Sequence, residues 1–221
     1  MTRQTLILGS VGLVLVIFAV GAWFNTNTQT ADTKPVSPPA KQNSLVRSYS
    51  PILGAKDAPV TIVEFFDPAC EACRAFHPIV KGILDRYAGK VRVVVRYTPF
   101  HGEASLKAIA VLEAARQQNV FLPVMEALLA NQPVWASHGS PSPDKILKIA
   151  ASAGLNIEQA AAQMKSPSSV GIINQDSADV EAVGIRGTPT FFVNGKPLTK
   201  FGQRELENMV RMEVEKASAT Q

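Results

Sequence analysis

VTIVEFFDPACEACRAFHP, residues 60–78, changes character partway along. Val60 to Phe66 is almost continuously apolar and β-favouring, as expected of a strand covered on both faces. Its single charge, Glu64, is conspicuous there. Asp67-Pro68-Ala69 interrupts the run, and a helical stretch follows from about Cys70 to Tyr87, closed by Gly89. VRVVVRY, Val91 to Tyr97, then reads as a second strand with Val91, Val93, Val95 and Tyr97 on one face. The three pieces make a βαβ unit in which Cys70 and Cys73 stand where strand gives way to helix.

Downstream, Glu103–Gln118, Phe121–Asn131, Pro143–Ala153, Ile157–Met164 and Ser168–Val183 are rich in Ala, Leu and Ile, with Pro or Gly between most of them. They predict four or five helices. Within the first, the stripe Leu106, Ile109, Ala110, Leu112 predicts core packing, and Trp135 a cap on that packing. Thr190–Val193, an Asn194-Gly195 turn and Lys196–Lys200 predict a hairpin. A last amphipathic helix is expected over about Gln203–Lys216.

Upstream, Leu6 to Phe24 is nineteen residues without a charge, close to the ~20 that cross a bilayer as a helix. Arg3 precedes it, so the amino terminus is expected in the cytoplasm and everything after Phe24 outside, with Trp23 at the far interface. A cleaved signal peptide is the rival, given the small residues Val20-Gly21-Ala22; it exports the body equally. Asn25 to Asn43 has no large apolar side chain and three prolines, and reads as a tether spanning about 25 Å as a flexible coil. The expected organisation is an anchor over residues 1–24, a linker over 25–44 and one domain over 45–221.

Of 221 residues, 46% are hydrophobic and 18% charged, which excludes wholesale disorder and a polytopic membrane protein. The net charge of +4 forms no clustered basic face, so no nucleic-acid partner is expected. With only two cysteines a framework of several disulfides is excluded. A zinc site normally wants four ligands, and His77, His101 and His138 lack paired ligand spacing. A purely structural bridge would close too short a loop to constrain the unfolded chain much. Redox activity remains the leading reading. Cys70 sits where helix amides are unpaired and the helix dipole favours negative charge, conditions that lower a thiol pKa. Cys73 lies one turn deeper.

FFDPACEACRAFHP resembles the active-site segment of the thioredoxin superfamily. Glu64, six residues before Cys70, takes the place of that family's buried acid; Pro78 matches the proline that kinks the active-site helix. Gly187-Thr188-Pro189-Thr190 is similar to the loop whose cis-proline packs against the disulfide. The helical block, with Phe121, Gln132 and Trp135, resembles the DsbA-like branch. The likeness covers about Ser50–Lys216 and implies an α/β thioredoxin fold, β-α-β followed by β-β-α, with a helical insertion over about residues 103–183.

What the likeness implies is a thiol–disulfide oxidoreductase without metal or organic cofactor, held at the outer face of a bacterial inner membrane. Its catalytic residues would be Cys70, Cys73 and Glu64, with Thr188 and Pro189 receiving an extended substrate. Glu71, Ala72 and His77 would tune the redox pair, although a half-buried helix histidine is the plainer reading of His77, as a loop histidine is of His101. Glu64 could instead pair with a base such as Arg96. Partners would be exported proteins carrying cysteines and an unidentified membrane redox protein. A periplasmic reductase or isomerase, or a soft-metal module binding copper through Cys70 and Cys73, are the alternatives.

Overall fold

The structure is a computed structural model and describes residues 44–137, 139 and 141–219. The expected anchor and tether, and His138, lie outside the described residues. Among the described residues no helix is long and apolar enough to cross a membrane.

Among the described residues five strands form one sheet in the order β1-β3-β2-β4-β5. Strand β2 (Val60–Phe66) and strand β3 (Val91–Tyr97) run parallel, with Glu64 opposite Val95 and Phe65 opposite Arg96. Helix α1 (Glu71–Arg86) joins them and contains Pro78. Strand β4 (Thr190–Val193) pairs antiparallel with the other side of β2, and β5 (Lys196–Pro197) with β4. Asn194 and Gly195, at φ 47° and 77°, supply the positive dihedrals that a two-residue hairpin turn demands. The expected strand Lys196–Lys200 is cut to two residues because Pro197 has no N–H for the ladder. Strand β1 (Ile52–Gly54), antiparallel to β3, was not foreseen: three residues carry no readable period.

Alternation along β2 decides what each face buries. Val60, Ile62 and Phe66 join Val91, Val93, Val95 and Tyr97 in the larger core, under α1 and the last helix, α8 (Gln203–Ser218). Val63 and Phe65 face the other way, into a smaller cluster with Leu45, Val94, Val180 and Ile185. Glu64 shares the parity of Ile62 and Phe66, which puts a carboxyl on the α1 face.

Six helices lie between β3 and β4 among the described residues: α2 (Gly102–Gln117), α3 (Phe121–Ala130), α4 (Gln132–Trp135), α5 (Lys145–Ser152), α6 (Ile157–Gln163) and α7 (Pro167–Val183). Helix α7 ends on Gly184, whose φ of 82° is a left-handed cap. Helix α2 corrects one expectation. Its buried residues are Ala104, Ser105, Ala108, Ile109, Val111, Leu112, Glu113, Ala114 and Ala115; Ala110 is only partly buried and Leu106 falls outside at 45% exposure. Trp135 is fully buried and donates its indole N–H to the Leu128 carbonyl, 2.8 Å away.

Candidate active site

Cys70 is the N-cap residue of α1, with extended dihedrals, so its sulfur stands before the first free helix amides. The two cysteines are free thiols, and their surroundings differ sharply. Cys70 is 7% exposed and its thiol donates to the Thr188 carbonyl at 3.2 Å; Cys73 is 0% exposed. A hydrogen bond from Cys73 pushes the Cys70 thiol down to about 5, against the cost of burial. The Thr188 side chain and the backbone amides of Cys73 and Ala72 add to the lowering. Burial drives the Cys73 thiol far up, and its bond to Cys70 and the neighbouring Glu64 drive it further. Thr188 and Pro189 are joined by a cis peptide bond.

Glu64 lies within this chemistry rather than in an ion pair. Burial raises its pKa to about 8, helped by negative charge on Cys70. Arg96, the base that might have neutralised it, points to the opposite face. There it donates to Asp176 at 2.8 Å and Asp179 at 2.6 Å, and also to the Ser44 carbonyl. The structural pairing weighed for Glu64 is thus replaced by an unneutralised acid at 5% exposure.

The residues flanking the cysteines behave unequally. Ala72 contributes through its amide. Glu71 is exposed in the first helical turn and is not among the chief influences on Cys70. His77 is half-buried, with Nε2 3.7 Å from Glu126 Oε1, and burial lowers its pKa, leaving it uncharged at neutral pH. The preceding residue in the helix, Phe76, packs at a tilt against Phe191 and the exposed ring of Phe201.

Two residues escaped the sequence reading as site components. Asp67 is completely buried and accepts hydrogen bonds from the Phe100 and His101 amides, His101 Nδ1 and Ser105 Oγ, drawing the plain loop histidine into the site's framework. The signal was present, since a charge directly after an apolar strand needs partners, but those partners are 33–38 residues away. Gln132 was noticed only through a family likeness. Its amide clamps the carbonyls of Pro68 and Cys70 at 2.7 and 2.9 Å. Among the described residues no group of three or more His, Cys, Asp or Glu could hold a metal ion. The arrangement is suited to attack at an accessible sulfur backed by a shielded one and a proton carrier.

Residues 47–211 match the thioredoxin family model. Disulfide bond formation protein D of Bacillus subtilis is 31% identical over 167 residues, covering 68% of this chain and 70% of that protein. A thioredoxin-like oxidoreductase from Silicibacter pomeroyi superposes with TM-score 0.67 at 30% identity, covering 80% of this chain and 98% of that one. Oxidised BdbD from Bacillus subtilis gives 0.67 at 26% identity, covering 75% and 93%. The chain also matches Na+/H+ antiporters of Herminiimonas arsenicoxydans and two Salinispora species at 31–33% identity, covering 66% of this chain but only 22% of theirs. It spans about a fifth of those relatives' length. The chain belongs to the thioredoxin family.

Proposed function

We propose that this protein oxidises the thiols of exported proteins, with Cys70 as the attacked sulfur, Cys73 as the leaving and resolving sulfur, and Glu64 as the proton carrier. One observation carries the reading: two sulfurs three residues apart are pushed in opposite directions, Cys70 down to about 5 and Cys73 far up. Starting from the Cys70–Cys73 disulfide, a client thiolate attacks Cys70 and the sulfur–sulfur bond breaks with its electron pair on Cys73. Glu64, protonated below about 8, hands its proton to Cys73. A second client thiolate then attacks the client's own sulfur in the mixed disulfide. Cys70 departs as a thiolate, a good leaving group because its pKa is low. The client loses two electrons and two protons, and the enzyme gains both electrons.

Thr188 and Pro189 form the loop against Cys70 and would receive the client's extended backbone, since the Thr188 carbonyl already lies 3.2 Å from the sulfur. Ala72 tunes Cys70 through its amide, Glu71 opposes the thiolate as an exposed negative charge, and His77 adds none at neutral pH. No metal or organic cofactor takes part in this cycle. Return to the disulfide needs a membrane redox partner that accepts two electrons. The uncharged run Leu6–Phe24 and the residues after it support a catalytic domain held on the periplasmic side of a bacterial inner membrane.

The test is the equilibrium reduction potential of Cys70–Cys73 against glutathione, with oxidation of a reduced client alongside. The nucleophile of DsbA has a pKa near ~3.5 and a potential of about −120 mV, and that of thioredoxin about 7 and −270 mV. With the Cys70 thiol lowered to about 5, the expected potential lies between the two. A potential below that range, with no oxidation of the client, would hand the protein to the reductase or isomerase reading. Stoichiometric Cu(I) binding without exchange would establish the metal module, which the reluctance of Cys73 to lose its proton opposes.

A further inference from the structure

Asp67 meets both cysteines through its backbone and a distant corner of the fold through its side chain. Its N–H points at Cys73 Sγ, 3.5 Å away, and its carbonyl accepts the Cys70 amide at 3.1 Å. Its carboxylate gathers five donors. Oδ1 takes the Ala69 amide at 2.9 Å, an Asx-type turn. Oδ2 takes the Phe100 amide at 2.8 Å, the His101 amide at 3.2 Å, His101 Nδ1 at 2.7 Å and Ser105 Oγ at 2.9 Å. Those four belong to the β3–α2 corner and the first turns of α2, a different part of the chain from the cysteines. The corner therefore holds the carboxylate, and the carboxylate, together with the Thr98 amide on the Phe66 carbonyl at 2.9 Å, holds the direction of the peptide unit beside Cys73.

We propose that Asp67 is a positioning residue for the resolving sulfur: fixed by the β3–α2 corner, it aims its own N–H at Cys73 Sγ and stabilises charge there as the disulfide opens and closes. The proposal rests on the exchange reading above and adds a residue to it. In ring closure the Cys73 thiolate attacks Cys70 Sγ of a mixed disulfide. The Cys70–Cys73 bond forms as the bond from Cys70 to the foreign sulfur breaks, and that sulfur leaves as a thiolate. The enzyme's two thiols are oxidised and the foreign disulfide is reduced. The Cys73 proton goes to Glu64, while the Asp67 amide keeps its own. An amide suits this task because it can hydrogen-bond the charged sulfur without competing for the proton.

Asn at position 67 cannot restore the arrangement, because its NH2 must face either the Ala69 amide or the four donors at Oδ2. Reduced full-length protein is mixed with glutathione disulfide, quenched in acid at intervals, and the glutathionylated intermediate counted by mass spectrometry. Asp67→Asn is expected to prolong that intermediate about 5–10-fold, the effect of misaiming and weakening, without removing, the hydrogen bond from the residue-67 amide to the charged sulfur. Formation of the intermediate should change less than twofold, and so should the thiolate titration of Cys70. His101→Ala, which removes one side-chain donor of the five, should prolong it about twofold. A general loss of structure would slow both steps together. Should Asp67→Asn fail to fold, His101→Ala decides alone. Ring closure at the wild-type rate in the folded variant overturns the proposal. If the wild type itself forms no intermediate and no disulfide, the exchange reading has failed instead.

Discussion

Glu64 and Arg96 are both buried charged residues on adjacent strands, one register position apart and on opposite faces of the sheet. Arg96 is fully compensated. Asp176 and Asp179 take its guanidinium, Arg47 binds Asp179 at 2.6 Å, Tyr49 donates to Asp176 at 2.8 Å, and the Tyr97 amide fills the remaining Asp176 oxygen. Burial pushes the Asp179 carboxyl up, but the hydrogen bonds from Arg47 and Arg96 outweigh it and hold the group low. Glu64 receives no such help, and it is raised to about 8. The same sheet thus carries one buried charge that is paired and one that can change its charge near neutral pH. The first belongs to architecture and the second to chemistry.

Arg96→Met breaks the comparison on its paired side. It leaves Asp176 buried without a cation and Asp179 with Arg47 alone, and should cost about 3–5 kcal/mol, read by denaturant unfolding, while the reactivity of Cys70 in the folded fraction stays put. Loss of reactivity without loss of stability would reverse the assignment of the two faces.

Glu64→Gln should act in the other direction. A folded pKa of about 8, above the ordinary carboxyl value of 4.5, means that the stability tied to the neutral carboxyl is complete below 4.5 and lost as pH rises toward 8. The variant should therefore gain about 1–3 kcal/mol over wild type at pH 8, with the difference shrinking toward zero below pH 4.5, and exchange near neutral pH should slow. Equal stabilities at both pH values, with unchanged rates, would make Glu64 an ordinary buried residue.

The same contrast can be put to the sulfurs. Cys73→Ala removes the leading hydrogen bond on the Cys70 thiolate and should raise its pKa by about one unit in an ultraviolet thiolate titration. The smallest effect is expected at Glu71, which is exposed. Glu71→His should lower the Cys70 pKa by about half a unit or less, and an unchanged or higher value would remove Glu71 from the tuning set.

Residues 60–78 disclosed the βαβ unit and the two cysteines because strand period, helix start and CxxC spacing are local signals. Glu64 was legible for the same reason, as a charge in an apolar run. Whether it was paired was not legible, since Arg96 chose partners 80 and 83 residues further along. Asp67 was hidden likewise by loops that close only in the fold. Leu106 misled because an apolar residue among alanines reads as core, whereas the small residues Ala104, Ser105 and Ala108 define the buried face.

The edges of the sheet bear on what company the protein can keep. One ends in the three-residue β1, the other in a two-residue strand, half of it Pro197. A longer bare edge is a template on which an unfolded chain can lay down a strand of its own. A catalyst proposed to work among unfolded exported chains would be vulnerable there, risking co-aggregation with every client it released. Short borders, one carrying a proline, give such chains little to copy and favour transient contact through the sulfur.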